Sequence, residues 1–236
     1  MASPEHCIYC FEVLASNLED RDPLSFEEVE ASWQDYQQSV DDEHKQTATI
    51  SQTTAKPFDE YPIFVTWDTI SSSGTRRLRG CKGTFTAAAL SQQLEDFALI
   101  AALEDHRFKP IVQAELSKLT CGVTILHSFQ PTSNPNDPLD WTVGKHGIRV
   151  AFRDQNGKRY GATFLPDVMP EQGWTQEDAI EHAVQKAGWK GEVEDVQALK
   201  VTTYEGWKAK VGYDGFLDWR LWLENRSESV TEEEHP

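Results

Sequence analysis

Positive charge is scarce in this sequence. Lys and Arg number 22 against 39 Asp and Glu, a formal net charge of −17. That deficit argues against nonspecific nucleic-acid binding, which depends on a basic footprint. Cysteine is also scarce, with four among 236 residues. Four are too few for a disulfide scaffold, so reduced thiols in the nucleus or cytosol are expected. No apolar run reaches the roughly 18 residues of a transmembrane helix, so no membrane association is expected. The start, Met1 to His6, lacks a basic stretch followed by an apolar one, and no secretory leader is expected. Gly-x-Ser-x-Gly, P-loop, dinucleotide and His-Glu-x-x-His motifs are all missing, which removes the usual support for hydride transfer, phosphoryl transfer and zinc proteolysis. Cys7 and Cys10 form one C-x-x-C without a second ligand pair, so neither a metal nor a cofactor is expected. One turn apart on a helix, they read as two small buried residues, with a metal or redox pair as the alternative.

The acidity is concentrated. Residues 19–43 carry a net −9 and residues 224–236 a net −4, which leaves −4 for the rest of the chain. The body is thus close to neutral and can hold a local basic pocket. With 39% hydrophobic residues, including 8 Trp and 11 Phe, it can also build a core.

Periodicity predicts an amphipathic helix over 4–18 and a second over 24–40 carrying Phe26, Val29, Trp33, Tyr36 and Val40. The second either docks on the body or binds a partner. Residues 41–57 read as a linker. Strands are expected at 61–67, 79–85, 119–127, 147–153, 158–164 and 196–204, and helices at 90–106, 175–187 and 214–224. Gln155-Asn156-Gly157 marks a hairpin. Residues 228–236 read as a disordered acidic tail. Strands and helices mix without regular βαβ alternation, so the fold class is α+β, with a mostly antiparallel or mixed sheet flanked by helices.

The most informative segment is Arg76-Arg77-Leu78-Arg79-Gly80-Cys81-Lys82-Gly83-Thr84-Phe85. It sets a thiol between glycines, which permit close approach of a ligand or another backbone, and among basic residues, which favour a thiolate. The alternative is a buried cysteine on a glycine-kinked strand. Asp105 and Arg107 offer either an anion-binding fork or a structural ion pair. His146, beside Gly147 in a loop, is the leading candidate base.

Five segments together resemble the AMMECR domain family: YPIFVTW at 61–67, LRGCKGTF at 78–85, ALEDHRFKP at 102–110, DWTVGKHGIRV at 140–150 and ATFLPDV at 162–168. YCFEVL at 9–14 resembles the eukaryotic branch. The resemblance implies one two-lobed α+β domain over 1–227, with 19–57 as an acidic insertion. It also implies a cleft between a larger and a smaller lobe. By the resemblance that cleft would be lined by the arginine-glycine-cysteine segment, Arg79, Gly80, Lys82, Gly83 and Thr84; the residue types themselves add Asp105 and Arg107 to it, with Cys81 and His146 as catalytic candidates. It further implies a nuclear or cytoplasmic protein, and it supplies no reaction. Lys82 departs from the family's usual aliphatic residue. Two functions remain open. One is a cysteine-dependent activity on a small anionic or peptide ligand. The other is a non-catalytic interaction or scaffold module that recruits partners through the acidic insertion.

Overall fold

The computed structural model describes residues 1–44, 55–56, 59–71, 74–132, 134 and 137–233. In chain order its elements are α1 (Pro4–Leu18), α2 (Phe26–His44), β1 (Glu60–Tyr61), β2 (Ile63–Ile70), β3 (Arg76–Gly83), β4 (Ala88–Ala89), α3 (Leu90–Leu103), β5 (Leu119–Pro131), β6 (Gly147–Arg153), β7 (Arg159–Phe164), α4 (Val168–Gln172), α5 (Gln176–Lys186), β8 (Gln197–Gly212) and α6 (Tyr213–Glu233). Short 3₁₀ turns occupy Gln113–Lys118 and Val193–Asp195. The class is α+β, and the sheet pairing is antiparallel. The chain divides into two compact units, residues 1–125 with 208–236, and residues 126–207.

In the first unit, β2 lies between β3 and β5. Helix α1 starts with Pro4 in its first turn, where the missing N–H costs nothing. The Ser3 N–H donates to His6 Nδ1 at 2.9 Å, which fixes the entry to the helix. Every residue of α1 from Glu5 to Ser16 is buried, because α2, α3 and α6 all pack on it. The expected amphipathic stripe is therefore a helix covered all round. Cys7, Cys10 and Cys121 are fully buried, and Cys121 lies within hydrogen-bonding reach of the other two thiols. Helix α2 docks through Phe26, Val29 and Trp33, all buried.

In the second unit, β6 lies between β7 and β8. Gly157 takes a φ of +82° in the expected hairpin turn, a conformation open to glycine at little cost. Thr175 caps α5 by accepting the Asp178 N–H, and the Asp178 carboxylate accepts the Thr175 N–H at 2.9 Å. Ile148, Val150, Met169, Ile180 and Val184 form the centre of this unit's core.

Several boundaries differ from those expected. Residues 41–44 continue α2, and Ala55 is buried with its N–H bonded to the Met1 carbonyl. The linker expected at 45–54 and 57 lies outside the described residues, as do Glu234, His235 and Pro236 of the expected tail. Strand β8 runs eight residues past Tyr204. Gly206 weakens the strand pattern only locally, and the alternation resumes at Trp207, Ala209 and Val211. Helix α6 continues to Glu233, so residues 228–233 are helical instead of disordered. No Pro or Gly interrupts residues 216–233, so nothing in the local chemistry stops the helix.

Candidate functional site

The site is built on the pairing of β2 with β3. Thr66 stands opposite Cys81, Trp67 opposite Gly80, and Val65 opposite Lys82. Side chains alternate across a strand, so this register assigns two faces. One face meets α3. Trp67 is fully buried there, and its indole N–H donates to the Ala98 carbonyl at 3.0 Å. A Cβ on Gly80 would lie 2.1 Å from the Ala101 carbonyl oxygen, and one on Gly83 would lie 2.2 Å from that of Ile63. Both glycines of the Gly-Cys-Lys-Gly segment thus admit backbone to backbone. Of the two close approaches the glycines were expected to permit, by a ligand or by another backbone, the backbone one is realised within the fold.

The opposite face carries Thr66, Cys81 and, on β5, Gly122 in one row. The Thr66 hydroxyl donates to Cys81 Sγ at 3.3 Å. Lys210 packs its aliphatic stem over Gly122, where an added Cβ would touch it at 3.6 Å.

Among the described residues β3 pairs only with β2, and on its outer side two side chains take the place of a neighbouring strand. Asp105 Oδ2 accepts the Cys81 N–H at 3.0 Å, and Arg107 Nη2 donates to the Cys81 carbonyl at 3.4 Å. Arg107 also grips Asp105 through Nε at 2.9 Å and Nη2 at 2.6 Å. Asp105 and Arg107 together clamp the backbone of Cys81. Arg107, followed by the Cys81 N–H, holds the Asp105 carboxyl far below the usual carboxylate range. Arg79 is committed elsewhere. It makes a bidentate pair with Glu115 at 2.8 and 2.9 Å, and it donates to the Lys109 carbonyl at 2.7 Å. Thr84 donates its N–H to the Ile63 carbonyl at 2.9 Å, and its hydroxyl accepts the Thr86 N–H.

The electrostatics of the thiol run against the expectation from its basic neighbours. Burial pushes the Cys81 thiol up. The Thr66 hydrogen bond and Arg107 oppose that rise, while Asp105 and Asp68 add to it. Burial thus outweighs the field of the basic neighbours, and the guanidiniums of Arg79 and Arg107 are already matched to Glu115 and Asp105.

His146 belongs to the second unit, and its described partners are there. Its Nδ1 accepts the Thr142 N–H at 2.9 Å, and its Nε2 lies 3.8 Å from Glu205. A Cβ on Gly147 would strike the Tyr204 ring at 2.5 Å, so this glycine too is required by packing. His146 lines a cavity of about 350 Å³ together with Asp140, Thr142 and Thr203. Among the described residues no group of His, Cys, Asp or Glu is placed to hold a metal ion, and no helix is long and apolar enough to cross a membrane.

Two site residues were not nominated from the sequence. Thr66 touches the thiol directly. Asp68 lies two positions along β2 from Thr66, beyond a register shift at Trp67/Asp68. It is 1% exposed, and burial pushes its carboxyl up. The available signal was the alternation Val65-Thr66-Trp67-Asp68: once Trp67 is assigned inward, Thr66 and Asp68 share the other face.

Comparisons with known proteins agree with this architecture. The AMMECR1 family model matches residues 7–209. An uncharacterised protein of Arabidopsis thaliana is 34% identical over 223 residues, covering 92% of this chain and 89% of its own. One of Schizosaccharomyces pombe is 36% identical over 218 residues, covering 92% and 96%. One of Kluyveromyces lactis is 41% identical over 172 residues, covering 67% and 75%. In fold, the chain is similar to the crystal structure of an uncharacterised Pyrococcus horikoshii protein, with a TM-score of 0.58 at 20% identity, covering 87% of this chain and 91% of that one.

Proposed function

Because the chain belongs to the AMMECR1 family, we propose that its arginine–glycine–cysteine strand presents a ligand-activated thiol, and that the protein is a cysteine-dependent enzyme acting on a small molecule or peptide. The observation that carries this reading is the clamp on Cys81. Asp105 and Arg107 satisfy both outer backbone groups of that one residue, and Thr66 fixes its sulfur. Such preorganisation is what a positioned reactive group requires. The thiol is only partly buried, whereas Cys7, Cys10 and Cys121 are wholly inside. A ligand that brings a positive charge or a hydrogen-bond donor to the sulfur would favour its thiolate form, the proton passing to solvent. All four cysteines are free thiols, which suits a reducing compartment such as the cytosol or nucleus. The scaffold alternative has less to work with, since α2 of the acidic insertion already spends Phe26, Val29 and Trp33 on the body.

Alkylation with iodoacetamide at graded pH, mapped by mass spectrometry, tests the reading. Cys81 is expected to label first, with half-reaction above the ordinary thiol value of about 8.5, while the other three label only on unfolding. Labelling of Cys81 no faster than Cys121 would overturn a ligand-accessible thiol and return the function to an interaction module.

A further inference from the structure

Asp68 has no place in the clamp around Cys81 and no adequate partner of its own. Its side chain is 2% exposed, yet Oδ2 receives no hydrogen bond. Arg76 Nε lies 3.2 Å from that oxygen but outside hydrogen-bonding geometry, and the Arg76 side chain is 47% exposed. Nearly all buried polar atoms in folded proteins are paired, and an unpaired one calls for an explanation. Three other buried side-chain atoms are also unpaired among the described residues: Trp33 Nε1, Gln93 Oε1 and Trp219 Nε1. Those three are neutral. Asp68 is the carboxylate among them, and a desolvated anion is far costlier to leave unmatched than an indole or an amide.

Its position joins it to the thiol. Thr66 and Asp68 share one face of β2, and Thr66 stands opposite Cys81. Asp68 and Cys81 are therefore diagonal neighbours, a spacing of roughly 7–8 Å between Cα atoms. The Asp68 charge is also felt at the Cys81 sulfur. The forks of Arg79 and Arg107 are engaged by Glu115 and Asp105.

Resting on the ligand-activated thiol reading above, we propose that Asp68 is the recognition carboxylate of this site, and that the ligand lying over Cys81 carries a cationic amine that Asp68 receives. The ammonium supplies the donor that Oδ2 lacks, and Arg76, half in solvent, turns away as it enters. The ligand class is thereby an amine-bearing molecule, and not the anion suggested by the basic flanks of Cys81.

Three chloroacetyl probes of similar size test this on the full chain: aminoethyl chloroacetamide (cationic), chloroacetamide (neutral) and chloroacetylglycine (anionic). In each, the thiolate sulfur forms a bond to the methylene carbon as chloride leaves, and the thiol proton passes to buffer. The cationic probe is expected to label Cys81 on the order of tenfold faster than the anionic one, the worth of about one charge-assisted hydrogen bond. Asp68→Asn should bring that ratio down to the value for a short cysteine peptide. Asp96→Asn, which removes the same charge from the exposed side of α3, should leave it unchanged. A ratio insensitive to Asp68→Asn overturns the inference while leaving the thiol reading intact. Failure of the neutral probe to label Cys81 instead overturns the thiol reading. Should Asp68→Asn not fold, Arg76→Met serves in its place. Removing the competing cation must raise the ratio, and an unchanged ratio would equally overturn the inference.

Discussion

Glu12 and Asp68 are the two most deeply buried carboxylates among the described residues of the first unit, and they are treated in opposite ways. Glu12, on α1, has a fully buried side chain and is saturated with donors. Arg21 reaches it through Nη1 at 2.6 Å and Nη2 at 3.2 Å, the Ser16 hydroxyl donates at 3.1 Å, the Leu24 N–H at 3.3 Å, and Arg220 closes the set from α6. One carboxylate thereby ties α1, the entry to α2, and α6 together. Asp68 on β2 is nearly as buried, with a single off-line arginine beside it. A saturated buried charge is a structural joint. An unsaturated one stores unmet hydrogen-bonding capacity, which is what a binding site has to offer a ligand.

The largest expected effect breaks this comparison if it fails. Glu12→Gln leaves two guanidiniums without their anion. Both arginines are about a quarter exposed, with side-chain exposures of 28% and 23%, and can rehydrate in part. The loss should fall near the lower end for a broken buried pair, about 3 kcal/mol. Asp68→Asn removes a charge that one half-exposed arginine offsets only in part, and the variant should be no less stable than the parent. Urea unfolding of both variants beside the parent provides the check. A loss at Asp68 equal to that at Glu12 would show that Asp68 is a structural joint too.

The two carboxylates also mark what the sequence disclosed. Helix α1 was legible from Ser3-Pro4 and its apolar spacing, and α5 from Thr175 and Asp178, because caps and periodicity are local signals. The β6–β7 hairpin was legible from Asn156-Gly157 for the same reason. Family membership was legible in the 78–85 and 102–110 segments. Their chemistry was not. The role of Gly80 depends on which backbone α3 lays against it, and the roles of Asp105 and Arg107 depend on Cys81 occupying an outer strand. The thiolate reading rested on a count of nearby cations, and such a count cannot tell that Arg79 faces Glu115. Asp68 and Thr66 escaped notice because inward and outward positions on β2 are fixed only once Trp67 is seated on Ala98.

A middle-sized effect sharpens the contrast between packing and ligand access. Gly80→Ala places a methyl group where the Ala101 carbonyl already lies, so β3 or α3 must shift. Overpacking of this kind costs about 1–3 kcal/mol. The shift would also strain the clamp, because the Cys81 N–H would move from Asp105. The substitution should therefore lower the melting temperature and slow Cys81 labelling together. Full stability with slowed labelling would instead place Gly80 in the ligand path.

The smallest effect is one of sign, and it separates the two carboxylates most cleanly. At Glu12 burial opposes ionisation, but Arg21 and Arg220 more than offset it and hold the carboxyl below its usual range. A depressed carboxyl contributes stability above its unfolded value of about 4.3, and that stability is lost as pH falls through the folded value. At Asp68 burial wins over Arg76, and the carboxyl is raised. Its ionisation costs stability at neutral pH, and protonation on acidification relieves that cost. The deficit of Glu12→Gln against the parent should therefore shrink between pH 7 and about pH 3, chiefly below about pH 4.3, because the parent loses what the variant already lacks. Any advantage of Asp68→Asn should shrink over the same interval for the opposite reason, because the parent sheds its own penalty. Urea midpoints at the two pH values for the parent and both variants supply the four differences needed. An Asp68→Asn advantage that grows in acid would mean that the Asp68 carboxyl is stabilised in its ionised form, and would place it with Glu12 among the structural joints.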